Sequence, residues 1–288
     1  MRDSYSISEL CQALEVSRSA YFAAKKRPLS RRAQDNQQLL HQIHLIHAHR
    51  HTRCYGSPRM TRALQAMGTT CSENRVAKIM RSQGLRARMR KPFRPKTTTP
   101  DHRACPSPNL LAQAPAPSAP GQQLVSDITY IPTREGWLYL ALIIDLYSRC
   151  ILGWKLSTSL HAQLVMGALQ CALHSRLLTK GAIFHSDRGC QFSAASTRQL
   201  LALHDLRQSM SAKGYCYDNA YAESTFASLK AELFLHDLPF ETQAQARTAI
   251  FDYIESFYNR TRLHSSLGYR SPLSVLKDHF QKNQTSLN

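Results

Sequence analysis

Residues 137–144 read WLYLALII, apolar almost throughout. Eight such residues are too few to cross a membrane, but they match a strand buried on both faces of a sheet. The neighbouring sequence supplies partners. Residues 124–131 form a candidate strand, residues 132–136 (PTREG) a five-residue turn, and residues 150–156 a third strand. Short connections favour an antiparallel meander. Beyond it the pattern becomes α/β. A buried helix is expected over 161–178, a short strand over 182–185, a helix over 193–203 and a last strand over 207–210. A loop then leads to two helices, one ending near Leu235 and one spanning about 241–258.

The first part of the chain differs in kind. Residues 1–120 hold 21 Lys and Arg against 6 Asp and Glu, whereas residues 121–288 hold 16 against 13. Most of the net charge of +18 is therefore regional. Arg81, Arg86, Arg88, Arg90, Lys91, Arg94 and Lys96 fall within sixteen residues that contain no acid. Such a run suits a phosphate backbone, because binding releases condensed counterions. Residues 6–27 predict two short helices, capped by Ser6 or Ser8 and by the turn at Glu15-Val16-Ser17, with Ala20 and Tyr21 facing inward; the spacing fits a helix-turn-helix. A longer helix is expected over 32–49. Ser57-Pro58 offers an N-cap with Pro at the first position of the next helix, whose inner stripe would be Met60, Leu64 and Met67. Ser72 would cap another, with Val76, Ile79 and Met80 inward and Gly84 at its end. Residues 97–120 are Pro- and Ala-rich and read as a semi-extended linker without chemistry.

The division expected is therefore a helix-turn-helix-like segment (1–31), a second helical DNA-binding unit with the basic run (32–96), the linker (97–120), an α/β domain (121–275) and a tail (276–288). Eight Cys form no C-x-x-C pair, so no zinc is expected. The His-rich stretch His41, His44, His47, His49 and His51 reads as helix-surface histidine.

Three acids stand out in the second part. Asp127 lies inside an apolar strand, where a carboxylate is costly unless compensated. Asp187 follows a short strand in HSDRGCQF, at the kind of strand end where α/β domains place ligand sites. Glu223 sits one turn into a helix and shares a face with Lys230, seven residues on. Taken singly, each could be a surface or capping acid. Taken together, converging carboxylates suit divalent-metal phosphoryl transfer, with two ions flanking the reacting phosphate.

Longer motifs join these residues: LVSDITYI (124–131), IIDLYSR (143–149), HSDRGCQF (185–192), SMSAKGYCYDNAYAEST (209–225), LKAEL (229–233), FYNRTRLHSSLGYRSP (257–272) and, in the helical part, RCYGSPRM (53–60). Thirty-five residues separate Asp187 from Glu223. In these features the chain resembles the orfB-type transposases of bacterial insertion sequences, of the DD(35)E class, which are similar to retroviral integrase catalytic cores. The resemblance implies a ribonuclease H-like α/β core, a mixed five-stranded sheet with flanking helices, preceded by all-α DNA-binding units. It implies Mg²⁺ or Mn²⁺ held by Asp127, Asp187 and Glu223, and a Lys230 that contacts DNA near the reactive end. The reaction implied has two steps: water or a hydroxyl frees a 3′-OH at the element end, and that 3′-OH attacks a target phosphodiester. Double-stranded DNA would be the partner, with at least a dimer pairing two ends and an upstream orfA-type product or frameshift fusion completing the enzyme.

Asp145 reads as structural, for instance paired with Arg149, ahead of a role in assisting the metals. The Arg and His residues of YNRTRLH could touch DNA or cap a helix. No membrane segment or signal peptide is evident, which points to a cytoplasmic, nucleoid-associated protein. Two other readings share these features: a nuclease of the same core that cuts without joining, and a DNA-binding regulator or inactive remnant.

Overall fold

The computed structural model describes residues 5–87, 107–212, 220–233 and 239–285. Helix α1 (Ile7–Ala13) opens on a capping box. Ser6 Oγ accepts from the Glu9 amide while the Glu9 carboxylate accepts from the Ser6 amide. Ser17 caps α2 (Arg18–Lys26). The pair is too short to bury two facing stripes. Cys11 is buried, Tyr21 is partly covered, and Ala20, expected inside, is exposed.

Helices α3 (Arg31–Ala48), α4 (Ser57–Ala66) and α5 (Glu73–Ser82) pack around Leu39, Ile43, Met60, Leu64, Val76 and Met80. Gly56, not Ser57, is the N-cap of α4, so Ser57 and Pro58 occupy its first turn. An amide missing there costs nothing, since the first turn has no partner for it. Met67 does not extend the inner stripe. It is the C-cap residue and exposed, because the chain leaves the helix through Gly68 at φ 83°.

Five strands make one sheet in the order β3-β2-β1-β4-β5. They are β1 (Gln123–Thr133), β2 (Gly136–Asp145), β3 (Ile151–Ser157), β4 (Ile183–Ser186) and β5 (Arg207–Met210). The first three are antiparallel, and β4 and β5 run parallel to β1. The β1–β2 hairpin is tighter than the five residues expected. Pro132 and Thr133 still pair, leaving Arg134 and Glu135 as the connection.

Alternation along the strands separates two cores. Leu124, Ala141 and Ile143 face α6 (Ala162–His174), with short α7 (Cys190–Ser193) and α8 (Ala195–Leu203) on the same side. Gly153 lets α6 lie directly on β3; a Cβ there would come 2.2 Å from the Ala168 carbonyl oxygen. Val125, Ile131, Leu140, Leu142 and Ile144 face the other way, towards α9 (Ala220–Glu232) and α10 (Gln243–Phe251). The last helix, α11, spans Pro272–Thr285. No described helix is long and apolar enough to cross a membrane.

Three further expectations are corrected. The helix expected to run to residue 258 changes at Asp252 into a π-helical stretch, Asp252–Tyr258. Its wider turn directs Tyr253, Ile254, Phe257 and Tyr258 inward together. The described part of the linker, residues 107–120, is docked rather than free. The Leu110 and Leu111 amides donate to Ser209 Oγ at 2.9 and 3.2 Å, and Ser107 donates to Gln208 at 2.8 Å. The segment thereby covers β5 at the sheet edge, where strands otherwise offer open hydrogen-bonding groups.

Third, the helical unit shares a core with the sheet domain. Leu39, Tyr55 and Leu64 belong to the same buried cluster as Val125, Tyr253 and Phe257. His51 makes this junction, so it is not a surface histidine. Its ring stacks on Phe257 at 4.8 Å and its Nε2 lies 2.7 Å from Asp252 Oδ2, to which Arg50 also donates.

Candidate active site

The parallel pairing of β1 with β4 runs Gln123 to Ile183, Leu124 to Phe184 and Val125 to His185. Continued by two residues, that register sets Asp127 beside Asp187 on neighbouring chains, which lie about 4.8 Å apart in a sheet. Asp127 pairs with Leu142 across β2 and so shares the face covered by α9. Helix α9 brings in Glu223 from its first turn and Lys230 from its last. Ala222, Phe226 and Leu229 anchor that helix and leave Glu223 exposed beside them.

The four groups are close enough to influence one another electrostatically. The Asp127 carboxyl is pushed up to about 8, first by burial and then by repulsion from Asp187; the Ile128 amide, donating at 2.8 Å, opposes this, Glu223 adds to it, and Lys230 relieves it. The Lys230 ammonium is pulled down by burial and held up by Asp127. Asp187 Oδ1 accepts from the Gly189 amide at 3.0 Å, which fixes the turn after β4. His185, buried in β4, spans the Ser209 and Ser211 hydroxyls at 2.9 and 3.0 Å and stiffens the strand end just before Asp187. Among the described residues no three His, Cys, Asp or Glu converge tightly enough to form a ready-made metal cluster. The set is nevertheless all carboxylate oxygen, the donor chemistry of a hard divalent ion.

Asp145 stands outside this group. It pairs with Leu124 and therefore points to the opposite face from Asp127. Its oxygens accept from the Gly121 amide, the Ser148 amide and the Ser148 hydroxyl at 2.9, 2.8 and 2.6 Å. The role is structural, as expected, but the partner is not the Arg149 side chain. Arg149 meets it only through its backbone amide, which donates to the Asp145 carbonyl, and lays its guanidinium over Tyr221. Of the expected phosphate-binding residues, Arg81 and Arg86 are exposed at and beyond the end of α5. Arg88, Arg90, Lys91, Arg94 and Lys96 lie outside the described residues.

Over 269 residues the chain is 42% identical to the Transposase InsF for insertion sequence IS3A of Escherichia coli (strain K12), spanning 93% of both chains. It belongs to the IS3 family of DNA transposases. The insertion element IS600 uncharacterized 31 kDa protein of Shigella sonnei is 39% identical, covering 94% of this chain and 99% of that one. Integrase core domain families match residues 117–216 and 204–272, and an HTH-like domain family matches residues 34–93. Among solved structures, the HTLV-2 integrase catalytic core domain in complex with magnesium (trimeric form) is 13% identical, with a TM-score of 0.43, covering 55% of this chain and 97% of that one. As a transposase with an integrase core, the protein is a polynucleotidyl transferase acting on DNA, and its sheet and flanking helices form the expected ribonuclease H-like α/β core.

Within this transposase the YNRTRLH motif divides: exposed Arg260 caps the π-helical stretch by donating to the Glu255 carbonyl at 2.9 Å, whereas Arg262 and His264 are buried. Arg262 is 3% exposed and grips Glu232, 4% exposed, through Nε at 2.8 Å and Nη2 at 2.7 Å. Tyr253 Oη donates to the same carboxylate at 2.7 Å, and Arg59 of α4 reaches it at 3.5 Å. Asn259 clamps β3 through both the amide and the carbonyl of Ile151, each at 3.0 Å. Glu232 ends the helix that carries Glu223, so this network sets that helix against the sheet and the helical unit together. Sequence reasoning missed it, although one signal was there. Glu232 lies three residues past Leu229, on the inward side of the stripe, where an acid needs a buried cation.

Proposed function

We propose that this transposase cuts DNA at the ends of an insertion element and joins the freed strand to a target, using Asp127, Asp187 and Glu223 as its catalytic carboxylates. The observation that supports the assignment is the β1–β4 register. Its last observed pair is Val125 with His185, and continuing it by two residues would set two acids sixty residues apart in the chain side by side, on the face to which α9 would bring Glu223 and Lys230.

The three carboxylates would hold Mg²⁺ or Mn²⁺, as two ions, which would supply Lewis-acid activation of the phosphodiester and of the attacking oxygen. The chain's own contribution is position and charge. Asp127 sits on a strand at the sheet centre, which fixes its carboxyl. Lys230 places an ammonium beside it, where a phosphate of the terminal nucleotide would pair with it. Water is the first nucleophile and the freed 3′-OH the second. Residues 1–31 and 32–96 read the element ends, with Arg81, Arg86, Arg88, Arg90, Lys91, Arg94 and Lys96 on phosphates. Pairing two ends takes at least a dimer, and an upstream orfA-type product or frameshift fusion completes the machine in the nucleoid of a bacterial cytoplasm.

The test uses labelled fragments of the DNA flanking the coding region, incubated with Mg²⁺ or Mn²⁺. Strand-joined products are expected from the wild type, and binding without products from Asp187→Asn. Products from Asp187→Asn would remove that residue from the site. Cleavage without joining by the wild type would make the protein a nuclease. Binding without any cleavage would make it a regulator or a partial enzyme.

A further inference from the structure

Arg149 carries two local penalties. Its backbone is left-handed, at φ 62°, a conformation unfavourable for any residue with a Cβ. Its Nη1 is buried and, among the described residues, has no hydrogen-bond partner, which in a folded protein calls for an explanation. Strain and an unmet donor on one residue are characteristic of a site awaiting a ligand.

The surroundings hold the side chain ready. The Arg149 amide donates to the Asp145 carbonyl at 2.8 Å, in the turn that the Asp145 carboxylate braces through Gly121 and Ser148. The guanidinium carbon lies 3.8 Å from the centre of the Tyr221 ring, so the planar group is stacked. Tyr221 is exposed, and it precedes Glu223 by two residues on α9. Two clefts meet at this pair. The larger, about 370 Å³, is open and bordered by Gln123 and Tyr147. The smaller, about 80 Å³, is lined by Ser224, Ser228, Ser266 and His264. Among the described residues, neither cleft is lined by an acid. His264 is pushed down to about 3 by burial and by Arg262, Arg59 and Arg149, while Glu232 is already engaged by Arg262 and Tyr253.

We propose that Arg149, stacked on Tyr221 at the head of the helix that carries Glu223, binds a phosphate oxygen of the DNA strand, with the Ser224, Ser228 and Ser266 hydroxyls lining the seat. The planar fork of a guanidinium matches a phosphate as an ammonium does not. The site rests on the reading of the protein as an enzyme that acts on DNA strands. It adds a contact beyond the three carboxylates and Lys230, on the far side of the Glu223 helix start.

The backbone itself supplies a clean variant. Arg149→Gly removes the side chain and relieves the left-handed strain, so the thermal midpoint should stay level or rise. Affinity of the full chain for a labelled duplex from the flanking DNA should nevertheless fall about tenfold, and the slope of log K against log salt should shallow by about 0.9, one phosphate contact. Arg149→Lys should keep the slope and lose part of the affinity. An Arg149→Gly protein that folds and binds with wild-type affinity and slope overturns the proposal while leaving the transposase reading intact. Wild-type protein that binds no duplex overturns both. A parallel arm replaces chloride by inorganic phosphate at equal ionic strength. Stabilisation of the wild type but not of Arg149→Gly, with DNA binding equal in the two, would assign the site to free phosphate and end the proposal.

Discussion

Replacing Glu232 by Gln keeps the shape of the side chain and removes its charge. Arg262 would then stand almost fully buried with no counter-ion, while its distances to the vacated carboxylate are now 2.7 and 2.8 Å. Breaking a buried pair from one side costs about 3–5 kcal/mol. The Gln carbonyl still accepts one hydrogen bond, so the lower end, about 3 kcal/mol, is expected. Against a typical total of about 5–15 kcal/mol this is a large loss. Urea unfolding followed by Trp fluorescence reads it directly, since Trp154 sits beside the network's helix, its indole donating to Glu255 at 2.8 Å. The midpoint should fall by about 1 M or more. The triple variant Glu232→Leu, Arg262→Met, Tyr253→Phe removes every partner together and should recover most of the loss. A Glu232→Gln midpoint equal to wild type, or a triple variant no better than the single one, would show that the charge pair does not hold α9 in place.

Two further outcomes are expected. Because the folded Asp127 carboxyl titrates near 8 and the unfolded one near the usual 3.8, the metal-free protein should lose stability as pH rises from about 4 to 8, where the folded state binds the extra proton. Asp127→Asn should remove that slope and Mg²⁺ should oppose it in the wild type, both read as thermal midpoints across pH; a flat wild-type profile would refute the assignment of the raised carboxyl. Gly153→Ala would drive a methyl group into the Ala168 carbonyl and Ala172, so α6 must lift from β3 at a cost of about 1–3 kcal/mol; wild-type stability in urea would show that the helix moves freely.

The legible parts of this fold are those where local chemistry and tertiary context agree. The continuous apolar run of β2 and the short connections around it specify the meander without help from afar. Ser6 and Ser72 cap their helices as placed, since a cap depends on three or four neighbouring residues. Asp127 and Asp187 were visible because acids in or beside apolar strands conflict with burial. What escaped depends on distant partners. His51 looks like one more histidine in a polar series until Phe257 and Asp252 come beneath it from two hundred residues away. Arg262 and His264 look like DNA ligands until Glu232 is seen to be buried beside them. The docked half of the linker was hidden for the same reason: its amides are satisfied by Ser209, and no composition rule foretells that.

The shared core of the helical unit and the sheet domain bears on how such an enzyme diversifies. A recognition module joined by a loose tether can be exchanged for another without regard to its host. Here the seam is made of His51, Tyr55 and Arg59 set against Tyr253, Phe257 and Glu232. A graft of the first ninety residues from a relative would have to bring matching residues at the π-helical stretch, or leave a face of aromatic rings open to water. The helical unit and the sheet domain are therefore constrained to change together, and a fragment begun at residue 121 would inherit a sticky surface in place of a domain boundary.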